Sequence, residues 1–218
     1  MAIGERKRQK KLARKAARRK KALAFKRGNT PGQGNHIAFA ATTPLHECLI
    51  PRVLYDQGIG TVVISRKMPN GDIAAGFFLV DIFCLGVKNC FFTIVSPGVY
   101  AQRMDLLAQK EGAEHAVPAC AVKLIHGAVS YAESLGFQPH RDYSSVKIFF
   151  GSIDPTPCPK EFEFGKDGKP LYISGPNETQ EDSEKIIASL SGKLGPDGFH
   201  YLVRTEEGPK QEDRSLIS

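Results

Sequence analysis

The densest apolar stretch of the chain covers residues 59–97, and its pattern predicts a three-stranded antiparallel meander. Asn70-Gly71 predicts a tight hairpin after the first strand, because a type I′ turn needs positive φ at both central residues. Residues 72–85 follow as a near-continuous apolar run, and residues 90–95 supply the third strand. A strand that is apolar on both faces is buried on both faces. Residues 72–85 are therefore predicted to form the central strand, with other elements packed on each side.

Two helices are predicted downstream of the meander. Residues 97–117 show apolar positions at helical spacing, and Gly112 is predicted to end this helix. Residues 118–137 show a broad apolar arc opposite a polar one. Pro118 suits the first turn of that helix, and Gly136 suits the position after its last turn. We expect this second helix to pack on one face of the central strand.

The segments on either side of this block are less regular. Residues 36–42 are apolar and compatible with a short strand. Residues 44–57 combine an apolar helical face with Pro51, and this conflict predicts a short broken helix or a loop. Residues 145–153 are rich in β-prone side chains and are predicted to form a strand. Three prolines exclude regular structure from residues 154–160.

The last part of the chain predicts a smaller arrangement of its own. Residues 161–164 and 170–174 flank Asp167-Gly168, a dipeptide typical of a hairpin turn. Residues 199–203 are predicted to form a closing strand. These strands lie beyond the proline-rich segment, which is a candidate boundary between two parts of the fold.

A helix is predicted over residues 179–193, with Asn177 or Thr179 as its N-cap and acidic residues in its first turn. Strands and helices segregate along the chain, which favours an α+β fold over a doubly wound parallel sheet. The prediction is an antiparallel meander with packed helices, plus a small C-terminal ββαβ lobe. The predicted divisions are a basic disordered arm and linker (1–34), a main domain (35–155), the C-terminal lobe (156–205) and a polar tail (206–218).

Positive charge is concentrated at one end of the chain. The net charge is +7, yet residues 1–28 hold thirteen Lys/Arg against the single acid Glu5, and the rest of the chain holds 17 Lys/Arg against 22 acids. The arm therefore carries +12 and the body −5. Such asymmetry is typical of an arm that binds nucleic acid or another anionic surface. The predicted nucleic-acid contacts are Arg6, Lys7, Arg8, Lys10, Lys11, Arg14, Lys15, Arg18, Arg19, Lys20, Lys21, Lys26 and Arg27.

The composition of the arm indicates how it would bind. Lysines and arginines that neutralise phosphates release condensed counterions, which gives an affinity independent of sequence. Phe25 is the single aromatic residue in residues 1–28, so contact with the phosphate backbone is favoured over base stacking. The predicted partner is RNA rather than DNA, and the arm is expected to be disordered until it binds. An alternative interpretation is a protein–protein scaffold whose arm is a localisation signal.

Hydropathy and cysteine usage bear on location. No apolar run approaches the roughly 18 residues that a membrane-spanning helix needs, so no membrane partner is expected. The five cysteines, an odd number, show no paired spacing, and Cys84, Cys90 and Cys120 lie in apolar surroundings. We therefore expect no disulfide framework and an intracellular protein, cytoplasmic or, in a eukaryote, nuclear. No pattern in the sequence indicates a cofactor.

Asp81 is the sharpest candidate for chemistry in the body, because it lies inside the apolar run. Such a carboxylate accepts hydrogen bonds, binds a cation or has a raised pKa. The favoured interpretation is structural, with Asp81 accepting backbone N–H groups from a turn at residues 85–89. The alternative is catalytic, with Asp81 and Asp154 as candidate catalytic residues.

The order of elements around Asp81 resembles that of RNase H-like nucleases, which open with an antiparallel three-stranded meander followed by helices and further strands. The resemblance implies metal-dependent cleavage of a phosphodiester, to which Asp81, Asp154 and Asp105 could contribute ligands. Those enzymes usually hold a carboxylate on the first strand, and residues 61–67 contain no acid. Two-metal chemistry needs clustered carboxylates. Because the acid of the first strand is missing here, the resemblance lies in the order of the elements.

The histidines form no metal-binding pattern. His46 and Glu47 are adjacent, and neighbouring residues of a regular segment do not chelate from one face. His126 and His140 are interpreted as surface residues, although either has the chemistry of a general base. Cys84 is interpreted as a buried thiol rather than as a nucleophile.

Overall fold

A computed structural model describes residues 33–176, 178–205 and 208–209. It confirms the predicted α+β class, with a five-stranded antiparallel sheet in the order β4-β3-β2-β1-β5. The predicted meander forms β2, β3 and β4, and two strands extend it on one side. The strands of this sheet are β1 Leu45–Pro51, β2 Ile59–Lys67, β3 Ile73–Asp81, β4 Gly86–Val95 and β5 Ala113–His115.

Six α-helices lie in the rest of the described chain. They are α1 Gln33–Ala41, α2 Val53–Gln57, α3 Pro97–Glu111, α4 Pro118–Ser134, α5 Tyr143–Val146 and α6 Gln180–Leu194. The helices α3, α4 and α6 confirm the three predicted ones. Gly112 ends α3 in the left-handed region, at φ 61°. Thr179 caps α6 in a reciprocal capping box with Asp182, whereas the other predicted cap, Asn177, lies outside the described residues.

The sheet has two faces, and both are covered. On the first face, Phe78 of β3 is fully buried beneath α1, α4, α5 and the 3-10 turn Lys147–Phe150. On the second face, Phe77 packs in a smaller cluster whose helical members, led by Tyr100, come from α3. The predicted burial of this strand on both sides is therefore confirmed. β2 rather than β3 occupies the middle of the sheet, because β1 and β5 extend it beyond β2.

The turns predicted at Asn70-Gly71 and at Asp167-Gly168 are both present, but the first is not of the predicted type I′. Asp167 and Gly168 have φ 51° and 77°, as a type I′ turn requires. At Asn70-Gly71, only Gly71 has a positive φ, of 87°, and its N–H donates to the Met68 carbonyl. This is the pattern of a type I turn followed by a left-handed residue, which closes a longer hairpin loop.

Two segments predicted as strands are helical instead. Residues 36–42 belong to α1 and its end, and residues 145–150 form parts of α5 and the 3-10 turn. The buried residues recur at i, i+3 and i+4 in both segments, namely Ile37, Ala40 and Ala41 in the first and Val146, Phe149 and Phe150 in the second. Packing against the first face of the sheet favours this helical spacing, and it outweighs the β propensity of Val and Phe.

The prediction of a broken helix or loop over residues 44–57 is wrong for its first half, which forms β1. Cys48 and Ile50 of β1 pack on the first face, and Leu49 packs on the second, so the strand alternates as a sheet requires. Pro51 is tolerated because it is the last residue of the strand. Within residues 44–57, the predicted helix is present only as the short helix α2.

The small C-terminal lobe is present, but its pairing differs from the predicted hairpin. Residues 161–164 form no strand, and β6 Leu171–Ile173 pairs in parallel with β7 His200–Leu202. The segments on either side of the Asp167-Gly168 turn form backbone hydrogen bonds with the turn between β3 and β4 instead. The Gly165 N–H donates to the Ile82 carbonyl, and the Leu171 N–H donates to the Phe83 carbonyl. The last described elements form a short antiparallel pair, β8 Arg204–Thr205 and β9 Gly208–Pro209. The predicted division between residues 155 and 156 stays a prediction.

The expectation of no disulfide is wrong. Cys120, in the first turn of α4, and Cys158, in the proline-rich segment, form a disulfide with their Cα atoms 4.9 Å apart. The two residues are 38 positions apart and no spacing motif joins them, so only the tertiary fold brings them together. Cys84 and Cys90 are buried free thiols, as their apolar surroundings predicted.

Arg66 on the first face explains how α1 and the 3-10 turn are held in place. Its guanidinium is buried, and it donates to the Thr43 carbonyl at 2.6 Å and to the Phe150 carbonyl at 3.0 Å. Both carbonyls lie at helical C-terminal ends, where the negative end of the backbone dipole stabilises a cation. Arg66 also lies over the Phe149 ring, 5.7 Å from its centroid.

Candidate functional site

The strongest functional candidate of the sequence, the basic arm of residues 1–28, lies outside the described residues. The nucleic-acid contacts assigned to its thirteen Lys and Arg residues stay predictions. The body that the structure does describe carries the opposite charge, because its segment of the sequence holds the excess of acids.

Asp81 is the last residue of β3, and its carboxylate is buried. Its Oδ1 accepts hydrogen bonds from the backbone N–H groups of Phe83 and Cys84, both at 2.9 Å. Backbone donors are what the structural interpretation expects, but they belong to a turn at residues 82–85. The predicted turn at residues 85–89 is wrong, because β4 begins at Gly86. Burial raises the pKa of Asp81 to about 6, against the opposing effects of the Lys88 charge and the backbone hydrogen bonds. The catalytic role of Asp81 stays a prediction.

Asp154 lies in a different setting from Asp81. It is exposed, its Oδ1 accepts the backbone N–H of Thr156 at 2.9 Å, and this hydrogen bond lowers its pKa. Across residues 33–176, 178–205 and 208–209, no three His, Cys, Asp or Glu side chains are placed to hold a metal ion together. The structure therefore does not gather Asp81, Asp154 and Asp105 into the clustered site that two-metal chemistry needs.

The other predicted candidates are dispersed. Burial raises the pKa of the Cys84 thiol to about 12, which leaves it protonated and a poor nucleophile. His126 and His140 line one open polar cavity of about 390 Å³ beside α4. Burial, helped by the nearby charge of Lys147, lowers the pKa of His126. The Nδ1 of His140 lies 3.7 Å from Asp142 Oδ2.

A second cavity lies on the second face, and an irregularity in β1 creates it. The pairing of β1 with β2 shifts between Leu45 and Glu47, so His46 is the extra residue of a β-bulge. In a regular strand, neighbouring side chains point to opposite faces. Here the bulge allows His46 and Glu47 to line the same cavity, which corrects the inference that adjacent residues cannot act from one face.

The cavity, named here the second-face pocket, has a volume of about 500 Å³. It opens between β1, the hairpin after β2 and the first turns of α3. Its walls are mainly apolar, with a few convergent polar groups, which is the usual composition of a small-molecule site. The lining residues that carry chemistry are His46, Glu47, Lys67, Tyr100, Met104 and Asp105.

A hydrogen-bond network fixes the inner wall of the second-face pocket. The Tyr100 hydroxyl donates to Ser65 Oγ at 2.9 Å, and Ser65 Oγ donates to the Glu47 carbonyl at 3.0 Å. Burial raises the pKa of Tyr100, and the adjacent Glu47 carboxylate raises it further, so the phenol stays a neutral donor. The inner wall is therefore held by three residues from three different elements.

The Glu47 carboxylate is the most enclosed charged group in the second-face pocket, with 17% of its side chain exposed. His115 Nδ1 lies 3.3 Å from one of its oxygens, and His46 Nε2 lies 3.9 Å from the other. Sequence reasoning missed this arrangement, because it depends on two strands and a bulge that meet only in the fold. The clue was the pair His46-Glu47 itself, two polar residues that open an apolar segment.

The comparisons with known proteins give no relative, since no family model, curated protein or solved structure matches this chain. Function must therefore be argued from the charge of the chain and from the geometry of its cavities.

Proposed function

We propose that this protein binds nucleic acid, RNA in preference to DNA, through the phosphate backbone, and acts as an accessory protein of ribonucleoprotein particles. The observation that carries the proposal is the separation of charge, with +12 in residues 1–28 and −5 in the rest of the chain. An arm of this density neutralises several phosphates at once, and release of their counterions drives binding. The acidic body repels the phosphate backbone, so most of the phosphate contacts fall on the arm.

The proposal includes a location, namely the cytoplasm or, in a eukaryote, the nucleus, where such RNA is found. No helix within the described part of the chain is long and apolar enough to cross a bilayer. The disulfide between Cys120 and Cys158 opposes this location, because such bonds are rare in reducing compartments. Mass spectrometry of alkylated protein from its native source therefore tests whether the two cysteines are oxidised, the state that the proposed location disfavours.

The test of the proposal compares two full-length variants that lose the same charge in different places. The arm variant replaces Arg14, Lys15, Arg18 and Arg19 by glutamine. The control replaces four exposed cations of the body, and these are Arg103, Lys110, Arg141 and Lys193. Binding to a fluorescent single-stranded RNA is measured by anisotropy at low salt.

We expect the arm variant to lose about 100-fold or more in affinity at 50 mM salt, because each phosphate contact contributes strongly there. The control should change by less than about threefold. Equal losses in the two variants, or no binding by the wild type, would contradict the proposal. Cleavage of the RNA in Mg²⁺ would favour the nuclease alternative, and unaltered retention of RNA by the arm variant in cells would favour the scaffold.

A further inference from the structure

The second-face pocket contains charges of both signs, which restricts the ligand it can accept. Glu47 and Asp105 are carboxylates in its lining, and Lys67 is an ammonium in the same lining. A simple anion would meet two carboxylates, and a simple cation would meet Lys67. A ligand that carries hydrogen-bond donors at one end and a negative group at the other satisfies all three residues.

We propose that the second-face pocket binds a guanine nucleotide, as a free molecule or as an unpaired residue of RNA, with Glu47 accepting hydrogen bonds from the guanine edge. The cavity of about 500 Å³ lies in the size range of small-molecule and cofactor sites. The inference concerns the body of the protein and goes beyond the arm.

The identity of the base follows from the chemistry of the Glu47 carboxylate. A carboxylate only accepts hydrogen bonds, and its two oxygens match two adjacent donors on a planar ring. Guanine presents adjacent N1–H and N2–H donors, whereas each of the other three RNA bases places an acceptor beside its donor. Among the described residues, the ring nitrogens of His115 and His46 lie within 4 Å of the Glu47 carboxylate, and no Lys or Arg side chain forms an ion pair with it.

The walls of the second-face pocket suit the flat faces of a base. The His46 and Tyr100 rings lie with centroids 5.6 Å apart at an angle of 59°, and Met68 and Met104 add polarizable thioethers. Unpaired bases are commonly held by stacking on His or Tyr rings, and thioethers pack well against aromatic rings. The donor contact of Tyr100 to Ser65 fixes one of these rings before any ligand binds.

The exposed residues of the second-face pocket suit the rest of a nucleotide. Asp105 can accept hydrogen bonds from ribose hydroxyls, and Lys67 can pair with a phosphate. Both residues are exposed, so they meet the ligand at the mouth rather than in the interior. This division of roles predicts that Lys67 recognises the phosphate and has little effect on the preference for guanine over adenine.

The second-face pocket also lies close to the arm along the chain. The helix α1 begins at Gln33, within the last two residues of the segment predicted as arm and linker, and β1, which contains His46, begins four residues after the helix ends. A nine-residue helix spans about 14 Å. One strand of RNA could therefore contact the arm with its backbone and the pocket with a base, a link that rests on the proposed function.

The experiment is calorimetric titration of the full-length protein with 5′-GMP, 5′-AMP and guanosine. We expect 5′-GMP to bind about tenfold or more tightly than 5′-AMP. Glu47→Gln should remove this preference, because one acceptor becomes a donor, while the matched exposed substitution Glu163→Gln leaves it intact. Lys67→Gln should weaken 5′-GMP about fivefold or more and leave guanosine unchanged, which provides a readout even if the Glu47 variant fails to fold.

Two oligonucleotides, UUUUGUUUU and UUUUAUUUU, then separate the possible sources of guanine. Tighter binding of the first, lost in Glu47→Gln, supports a guanine of RNA, whereas a preference seen with 5′-GMP alone supports a free nucleotide. Equal binding of 5′-GMP and 5′-AMP, or binding of neither at 10 mM, would overturn the inference. The proposed function fails separately, if the arm variant binds both oligonucleotides as tightly as the wild type.

Discussion

The two faces of the central sheet differ in how completely they are closed. Three helices and a 3-10 turn seal the first face, whose largest side chains, such as Phe78 and Phe149, are fully buried. On the second face, α3 provides the helical cover, several side chains of the cluster stay partly exposed, and a cavity of about 500 Å³ opens at one end. The first face therefore holds the larger part of the buried core, and the second face keeps an open cavity.

Phe77 and Phe78 are neighbours on β3, and Phe78 packs on the first face whereas Phe77 packs on the second. Substitutions at these two residues therefore compare the two faces most directly. Phe78→Ala should cost about 4 kcal/mol of unfolding free energy, since a sealed core cannot collapse around the cavity. Phe77→Ala should cost about 3 kcal/mol, the lower end for a buried phenylalanine, because its stacked partner Phe91 is only partly buried. Urea unfolding measures both, and equal losses would remove the distinction between the faces.

The disulfide ties the proline-rich segment to α4, the helix that seals the first face. A bond that closes 38 residues restricts the unfolded chain by about 4 kcal/mol in the chain-entropy estimate. Reduction should therefore lower the unfolding midpoint of the wild type. The double substitution Cys120→Ala/Cys158→Ala should unfold at that lower midpoint with or without reductant. A wild type insensitive to reductant would show that the bond is absent in solution.

Asp81 marks the end of β3, and burial raises its pKa to about 6, which predicts a pH dependence of the stability. The folded protein holds this proton more tightly than the unfolded chain, so stability should fall as pH rises from about 4 to about 6. The expected fall is about 2 kcal/mol. Asp81→Asn keeps an acceptor oxygen but does not titrate.

The difference in unfolding free energy between wild type and Asp81→Asn isolates this effect from other titrations. That difference should change by about 2 kcal/mol between pH 4 and pH 7, to the disadvantage of the wild type. The exposed Asp154, whose pKa is lowered by Thr156, should give a trend of the opposite sign in Asp154→Asn. A constant difference for Asp81→Asn would mean that its carboxylate is solvated.

The smallest expected effect concerns the inner wall of the second face. Tyr100→Phe removes one hydrogen bond to Ser65 and should cost about 1 kcal/mol, because Ser65 keeps its bonds with Glu47. Tyr55→Phe, at an exposed tyrosine, should cost nothing measurable. Thermal unfolding compares the two variants. A loss of 3 kcal/mol or more in Tyr100→Phe would mean that the second face is as tightly packed as the first.

Local sequence patterns predicted those elements whose structure is determined by residues within the same segment. The apolar run of β3, the arc of α4 and the N-cap at Thr179, one of the two predicted caps, are complete within their own segments, so each could be located in advance. The helical state of residues 145–150 could not, because Phe149 and Phe150 take it only when packed against the sheet. Tertiary packing decided these cases against local propensity.

The second-face pocket was beyond prediction for a related reason. A β-bulge at His46 has no sequence signature here, and without the bulge Glu47 and His46 belong to opposite faces. Lys67 and Tyr100 join them only through the hairpin and α3. The charge separation needed no fold at all, and it could be read from the order of the residues alone.

The salt dependence of RNA binding tests the role of the arm most directly. Binding of the full-length protein to a single-stranded RNA is measured between 50 and 400 mM salt, for the wild type, the arm variant and the body control. Counterion release predicts a slope of log K against log salt of about −5 or steeper for the wild type and the control. The four substitutions in the arm should make the slope shallower by about 3. A slope that is the same in all three proteins, or close to zero in the wild type, would contradict binding through the arm.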